Sequence, residues 1–146
     1  MEKLSRILYA EDSLNDVELT LAAFKECNLA NQIDVVHDGQ EALDYLFCRG
    51  AYTSRPKIAP ALVLLDIKMP KVDGIDVLRQ IRQSDEYKSL PVVMLTSSQM
   101  ESDIYQSYKL GTNGFVVKPI DFGEFVKAIK AIGYFWAILN TPPVQP

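Results

Sequence analysis

The sequence predicts an α/β fold in which a doubly wound, five-stranded parallel sheet is covered by five helices. Five short apolar runs alternate with segments of helical periodicity along the chain, without internal repeats or a linker. Apolar runs that lack polar alternation are typical of strands buried on both faces, as in parallel sheets. The 146 residues fit one domain with a sizeable core. We therefore expect a single domain over residues 1–140 and a disordered tail over residues 141–146, which include three prolines.

Two strand–helix units are predicted in the first third of the chain. The apolar run of residues 6–10 is the first strand. Ser13, followed three residues later by Asp16, resembles a helix-start capping signal. The apolar residues that follow it have helical spacing, namely Val17, Leu21 and Phe24. Residues 33–36 are predicted as the second strand, and a helix is expected over residues 40–47.

Three further units complete the alternation. Strands are predicted at residues 61–65, 91–95 and 115–117, and helices follow near residues 75–81, 99–110 and 121–139. Gly111 stands at a usual position for the C-terminal cap of a helix. Between the second helix and the third strand, residues 49–60 are polar and contain glycine and proline, so we expect a loop there.

Composition and charge narrow the range of functions. The net charge is −4, from 15 basic and 19 acidic residues, which argues against nucleic acid as the main partner. No apolar stretch approaches the ~20 residues that span a bilayer, and the first residues lack the layout of a signal peptide. Cys27 and Cys48 have no metal-ligand spacing and are expected to be reduced. We therefore expect a cytoplasmic protein that binds neither nucleic acid nor membrane.

Three acidic residues stand at the ends of two predicted strands. Glu11 and Asp12 follow the first strand, and Asp66 follows the third. The carboxyl ends of parallel strands meet at the sheet edge where open α/β folds bind their ligands. Carboxylates brought together there repel one another unless they take up protons or bind a cation. This cluster therefore predicts a divalent metal site and phosphate chemistry.

Polar residues end four of the predicted strands, namely Glu11-Asp12, Asp66, Thr96 and Lys118. In order and approximate spacing, this set resembles the receiver domain of two-component response regulators, whose CheY-like, flavodoxin-like fold has the strand order 2-1-3-4-5. The resemblance extends from about Leu4 to Leu139, nearly the whole chain. It implies a stand-alone regulator that accepts a phosphoryl group from a sensor histidine kinase.

The resemblance implies a role for each member of this set. Asp66 is expected to be the phosphoryl acceptor. Glu11 and Asp12 are expected to hold Mg²⁺ or Mn²⁺ together with Asp66 and the backbone carbonyl of Lys68. Lys118 is expected to offset the charge of the phosphoryl oxygens. Such a protein catalyses its own phosphorylation and dephosphorylation and is not otherwise an enzyme.

The resemblance also implies a conformational switch. Thr96 is expected to hydrogen-bond a phosphoryl oxygen, and Phe115 corresponds to the aromatic residue that turns inward when this threonine moves. The surface formed by the fourth helix, the fifth strand and the fifth helix is expected to change with it. Pro119 corresponds to a cis proline that aims Lys118 inward.

Two segments resemble a narrower group, the small regulators that partner phytochrome kinases. One is the long loop with Tyr52 and Pro56, and the other is the apolar ending of the last helix, Tyr134–Leu139. They imply that the partner kinase is a phytochrome. The downstream protein is left open.

The last helix is too apolar to be buried on one side only. The residues that can face the sheet at helical spacing are Phe122, Phe125, Val126, Ile129 and Trp136. Exposed apolar residues usually mark an interface. The expected interface residues are Tyr105, Tyr108, Tyr134, Phe135 and Ile138. We expect a symmetric homodimer through the fourth and fifth units; the alternative is that the last turns fold back over the protein's own core.

Two other functions compete with the phosphoacceptor. A phosphatase of the haloacid-dehalogenase type also uses a strand-end aspartate, but it needs a second aspartate where this chain has Lys68. A degenerate receiver would act as a phosphorylation-independent protein-binding module, although the complete set of strand-end residues argues against it. The sequence contains no glycine-rich loop of the GxGxxG type, which disfavours a nucleotide or flavin site.

Overall fold

The computed structural model describes residues 6–29, 32–118 and 121–141. These residues form a parallel sheet in the order β2-β1-β3-β4-β5. The strands are β1 (Ile7–Ala10), β2 (Ile33–Val36), β3 (Leu62–Leu65), β4 (Val92–Thr96) and β5 (Gly114–Val117). The helices are α1 (Leu14–Glu26), α2 (Gly39–Phe47), α3 (Gly74–Gln83), α4 (Glu101–Lys109) and α5 (Phe122–Tyr134). The predicted fold class, with its strand order, is confirmed.

Some predictions concern residues beyond this description. Pro119 and residues 142–146 lie outside the described residues, so the cis peptide bond and the disordered tail stay predictions. The single domain over residues 1–140 also stays a prediction. Within the part of the chain that the structure describes, no helix is both long and apolar enough to cross a bilayer.

Side chains at the helix N-caps determine where most of the described helices begin. The N-cap residues that accept a hydrogen bond from the backbone N–H three residues later are Ser13, Asp38, Asp73 and Asp121. Such caps satisfy donors of the first turn that have no partner within the helix. The predicted cap at Ser13 is therefore confirmed. Because each of these helices follows a strand, the caps place helix N-termini along the edge where the strands end.

The sheet separates two apolar cores. Alternate residues of a strand point to opposite faces, so Leu8 and Ala10 pack with α2 and α3, while Ile7 and Tyr9 pack with α1 and α5. Every residue of β1 and β3 is buried. A sheet covered on both faces explains why these strands are apolar throughout rather than alternating.

The long connection after α2 is more ordered than the loop expected there. It contains a short 3₁₀ helix over Gly50–Tyr52. The Tyr52 hydroxyl donates to Glu41 at 2.7 Å, and its ring meets the ring of Tyr45 edge to face at 5.3 Å. Arg55 Nε donates to the Tyr45 carbonyl at 2.8 Å. These contacts fix the connection against the second helix.

Several helix boundaries differ from the sequence prediction. α2 begins one residue earlier, at Gly39, and α4 is shorter, at Glu101–Lys109. α5 ends at Tyr134, and the chain continues over Phe135–Leu139 as a turn of π-helix. The expectation that Phe122 faces the sheet is wrong, because this first residue of α5 is 46% exposed.

The first residue of α3, Gly74, lies so close to the end of β3 that there is no room for a side chain. A Cβ added at Gly74 would lie 2.0 Å from the carbonyl oxygen of Asp66. The Gly74 N–H donates to the Ile67 carbonyl at 2.8 Å, which keeps the two backbones together. The glycine therefore allows α3 to start directly against the end of β3.

Candidate functional site

Three carboxylates meet where β1 and β3 end, as the sequence predicts. Glu11, Asp12 and Asp66 each offer an oxygen, and these oxygens lie within 4.8 Å of one another. The Glu11 N–H donates to the Val36 carbonyl at 3.0 Å, and the Asp66 N–H donates to the Ala10 carbonyl at 3.1 Å. These backbone bonds continue the sheet by one residue and hold the acids side by side.

Burial distinguishes the three acids. Glu11 and Asp66 are buried, with 1% and 6% of their surface exposed, whereas Asp12 is exposed. Oδ1 of Asp66 accepts the N–H of Ile67 at 2.8 Å. Its Oδ2 lies 4.0 Å from Lys118 Nζ. One oxygen of Asp66 is thus fixed by the backbone, and the other lies near a cation.

The surroundings of Glu11 favour its neutral form. Burial, and after it the hydrogen bond with Asp66, raise the pKa of Glu11, while Lys118 acts to lower it; together they bring this pKa to about 7. The Tyr9 hydroxyl donates to Glu11 Oε1 at 3.3 Å and lies 3.0 Å from Thr20 Oγ1. Ionised carboxylates are therefore unfavourable at this buried site, and either a bound proton or a bound cation would stabilise it.

Lys118 reaches this cluster from the end of β5. Its Nζ contacts the Glu11 carboxylate and donates to Asp16 Oδ2 at 2.8 Å. The Lys118 N–H donates to the Thr96 carbonyl at 2.8 Å, which ties its backbone to β4. Burial acts to lower the pKa of Lys118, but its hydrogen bonds to Asp16 and Glu11 outweigh burial and raise the pKa above the usual lysine value. The lysine therefore carries its positive charge at neutral pH.

The predicted switch residues lie on β4 and β5. Thr96 is fully buried, and its Oγ1 accepts the N–H of Ser98 at 3.2 Å. Phe115 lies opposite Met94 in the sheet register and packs, partly buried, against the core on the α2 and α3 side. The threonine hydroxyl and the aromatic ring are thus on neighbouring strands, as expected; their switching roles stay predictions.

The donor set fits a hard divalent cation. Mg²⁺ and Mn²⁺ prefer carboxylate and carbonyl oxygens, and Mg²⁺ usually keeps several waters. Among the described residues, Glu11, Asp12 and Asp66 provide such oxygens within 4.8 Å of one another. Two of these acids are buried, so a cation there would relieve their mutual repulsion. These three residues would hold the ion; the backbone carbonyl of Lys68 as a further ligand stays a prediction.

The residues predicted for an interface are all exposed. Their exposed fractions range from 43% to 65%, for Phe135, Ile138, Tyr134, Tyr108 and Tyr105. Trp136, by contrast, is partly buried and packs against the core on the α1 and α5 side. Trp136 therefore folds back on the core while its neighbours stay at the surface, and the homodimer stays a prediction.

Two residues of the site were missed by the sequence analysis. Asp16 appears there only as part of a capping signal, and Tyr9 only as a strand residue. Asp16 and Lys118 are 102 positions apart, so no local pattern links them. A usable signal existed for Tyr9: it stands two residues before Glu11, which places both side chains on the same face of the strand.

The fold and the strand-end residues together define the class of protein. The model of the response regulator receiver domain matches residues 7–130. The chain belongs to the response regulator receiver family.

Within that family, the chain is similar to regulators of phytochrome systems. It is 35% identical to the response regulator Rcp1 of Synechocystis sp. over 137 residues, which are 94% of this chain and 92% of Rcp1. The Mn²⁺-bound form of Rcp1 superposes with a TM-score of 0.86 at 34% identity, covering 96% of this chain and 99% of that one. The phosphorylated cyanobacterial phytochrome response regulator RcpA superposes with a TM-score of 0.88 at 33% identity, and the match covers 97% of this chain and 100% of RcpA. The bacteriophytochrome response regulator AtBRR is 54% identical to this chain and superposes with a TM-score of 0.77, covering 96% of this chain and 100% of AtBRR. The predicted similarity to phytochrome regulators is confirmed.

Proposed function

We propose that this protein accepts a phosphoryl group on Asp66 from a sensor histidine kinase and thereby switches a signalling surface. The observation that carries the proposal is the surroundings of Asp66. Its carboxylate stands between two further acids and a partly buried lysine, with Oδ2 at 4.0 Å from Lys118 Nζ. An aspartate placed among metal-ligating oxygens and a cation is arranged as a phosphoryl acceptor.

The transfer exchanges one bond for another. An Asp66 oxygen attacks the phosphorus of a phosphohistidine, the P–N bond breaks, and a P–O bond forms. The imidazole nitrogen keeps the electron pair of the broken bond and takes up a proton. The product is an acyl phosphate, a mixed anhydride of the Asp66 carboxylate.

This chain's own residues have distinct tasks in that transfer. Lys118 places its ammonium where the charge of the phosphoryl oxygens develops, and Thr96 offers a hydroxyl to one of them. Glu11 and Asp12 would hold the divalent ion with Asp66 and the carbonyl of Lys68. When bound, Mg²⁺ or Mn²⁺ supplies positive charge that offsets the acids and the incoming phosphoryl group.

The output follows from movement of Thr96 toward the phosphoryl group. Because Thr96 and Val117 are paired in the sheet register, that movement reaches β5 and with it Phe115. The α4, β5 and α5 surface then changes, and its exposed aromatic residues form the contact with a second copy or a downstream protein. Since Phe115 has no hydroxyl, its contribution to that contact is apolar.

The similarity to Rcp1, RcpA and AtBRR supports a phytochrome as the kinase, and the exposed side chains of Tyr134, Phe135 and Ile138 support a homodimer as the assembly. The similarity extends over nearly the full length of each of these proteins. The proposal also places the protein in the cytoplasm, where ATP for the kinase is available. Apart from its own phosphorylation and dephosphorylation, no enzymatic reaction is assigned to it.

The test is a gel-shift measurement of phosphorylation. Wild type is incubated with a small-molecule phosphodonor, or with a phytochrome kinase and ATP, with and without Mg²⁺, beside Asp66→Asn. Asp85→Asn is the matched control, because it removes an exposed aspartate far from the acidic cluster in sequence. We expect a shifted species in wild type and in the control that requires Mg²⁺, and none in Asp66→Asn. No shift in wild type with either donor would favour the phosphorylation-independent binding module.

A further inference from the structure

Lys118 is held by two carboxylates other than the acceptor. Its Nζ contacts the Glu11 carboxylate and donates to Asp16 Oδ2 at 2.8 Å. Asp66 Oδ2 is farther away, at 4.0 Å, beyond hydrogen-bond distance. Lys118 is expected to bind the phosphoryl group, but two of its three N–H donors are directed to Glu11 and Asp16 in this structure.

Asp16 is free to make this contact because its usual capping partner is occupied. In a capping box, the acid at the third helical position reaches back to the backbone N–H of the N-cap residue. Here the Ser13 N–H donates instead to Glu11 Oε2 at 3.4 Å. The Asp16 N–H still donates to Ser13 Oγ at 3.3 Å, so the cap itself is kept. The Asp16 carboxylate thus joins the first turn of α1 to the end of β5.

We infer that Asp16 is a positioning residue that holds Lys118 in the unmodified protein and is exchanged for a phosphoryl oxygen when Asp66 is phosphorylated. The inference rests on the proposed function. Glu11 has 1% of its side chain exposed and Asp16 has 34%. A carboxylate that is already one-third exposed regains water easily when it loses its partner, whereas a buried one does not. Asp16 is therefore the partner that Lys118 gives up.

The exchange makes α1 part of the response. While Lys118 binds Asp16, an ion pair ties the first turn of α1 to β5. Once Lys118 turns to the phosphoryl group, that tie is lost. The same turn begins with Leu14, which is 69% exposed, so the surface beside the acidic cluster changes as well as the α4, β5 and α5 surface.

The first test measures the affinity for fluoroberyllate, a mimic of the phosphoryl group, in the presence of Mg²⁺. Asp16→Asn removes the competing carboxylate and keeps the backbone donor of the cap. Glu18→Gln removes an equal charge from the same helix at an exposed position and serves as the matched control. Because a partly exposed ion pair contributes modestly, we expect Asp16→Asn to bind fluoroberyllate about threefold more tightly than wild type, and Glu18→Gln to bind as wild type does.

A spectroscopic signature separates the exchange from a structural role. In wild type, the carboxyl ¹³C resonance of Asp16 should shift on addition of fluoroberyllate with Mg²⁺, since the ammonium leaves it, while that of Glu18 should not. An Asp16 resonance that stays unchanged, or unchanged affinity in Asp16→Asn, would overturn the exchange while leaving the proposed function intact. Failure of wild type itself to bind fluoroberyllate would overturn the proposed function, and the exchange with it.

Discussion

Lys118 Nζ lies 4.0 Å from Asp66 Oδ2, although β4 separates the strands that carry the two residues. The lysine spans that gap because its backbone N–H is bonded to the Thr96 carbonyl at the end of β4. Asp66, Thr96 and Lys118 therefore form a row across three neighbouring strand ends. A change in the charge or position of Asp66 can therefore affect β5 directly through Lys118.

Divalent cations should stabilise the fold through the acidic cluster. A ligand present at about 100 times its Kd adds about 2.7 kcal/mol to the free energy of unfolding. We expect a gain of that order from Mg²⁺ in wild type, measured by urea unfolding with and without EDTA. Asp12→Asn should lose most of the gain, because Asp12 offers one of the clustered oxygens. Asp85→Asn should keep it; an equal gain in Asp12→Asn would exclude Asp12 as a ligand.

Gly74→Ala should destabilise the protein and disturb the position of Asp66. The added Cβ would lie 2.0 Å from the Asp66 carbonyl oxygen, so one of the two backbones has to move. Overpacking of this kind costs about 1–3 kcal/mol in unfolding free energy, and the rate of phosphorylation should fall as well. Gly114→Ala is the control, since its added Cβ would lie at an ordinary van der Waals distance, 3.5 Å, from the Val93 side chain. Equal free energies of unfolding for the two variants would show that the start of α3 can move away from Asp66 without loss of stability.

Tyr9→Phe tests the buried hydrogen bonds below the cluster. The hydroxyl lies 3.3 Å from Glu11 Oε1 and 3.0 Å from Thr20 Oγ1. Its removal leaves the fully buried Thr20 without this partner, so we expect a loss of about 1–2 kcal/mol in chemical denaturation. The double variant Tyr9→Phe, Thr20→Val should regain part of that loss, because neither position then carries a buried hydroxyl that has lost its partner. No recovery would mean that the cost is not due to Thr20.

The Arg6–Asp34 pair should make stability depend on pH at the acidic end. Hydrogen bonding to Arg6 lowers the pKa of Asp34 below its ordinary value of 3.8. A lowered folded-state pKa adds stability that is fully present above the ordinary pKa and is lost as the pH falls through the lowered value. Wild type should therefore lose about 0.5 kcal/mol more than Asp34→Asn between pH 5 and pH 2, a small effect since the pair is partly exposed. Parallel unfolding curves for the two proteins would contradict this.

Self-association should depend on the exposed aromatic and aliphatic residues near the end of the described chain. Ile138→Lys places a charge among Tyr134, Phe135 and Ile138, which are all exposed, and should weaken the dimer at least tenfold in analytical ultracentrifugation. Ile58→Lys makes the same change at a 69% exposed residue outside this group and should leave the dimer intact. Dimerisation unaffected by Ile138→Lys would place the interface elsewhere.

The sequence was sufficient for the fold and for the acidic cluster because both depend on local patterns. Apolar runs followed by Glu11-Asp12 and Asp66 show where strands end, and parallel strands bring their carboxyl ends to one edge. The cap at Ser13 was also readable, since it depends on residues three positions apart.

What the sequence did not reveal depends on the direction of side chains over long separations. The Asp16–Lys118 contact joins residues 102 positions apart, and it leaves the Ser13 N–H, the usual capping-box partner of Asp16, to donate to Glu11. The packing of the connection after α2 was missed for a similar reason. Tyr52 and Arg55 contact α2 through a hydroxyl and a guanidinium, and neither contact leaves a periodic pattern in the sequence.

The central claim is that Asp66 forms an acyl phosphate, and the most direct measurement identifies the modified residue. Protein treated with phosphoramidate and Mg²⁺ is reduced with borohydride, which converts an aspartyl phosphate to homoserine, and is then mapped by mass spectrometry. We predict homoserine at position 66 and unmodified aspartate at position 12. Homoserine at another position, or none at position 66 in protein that carries phosphate, would contradict the account.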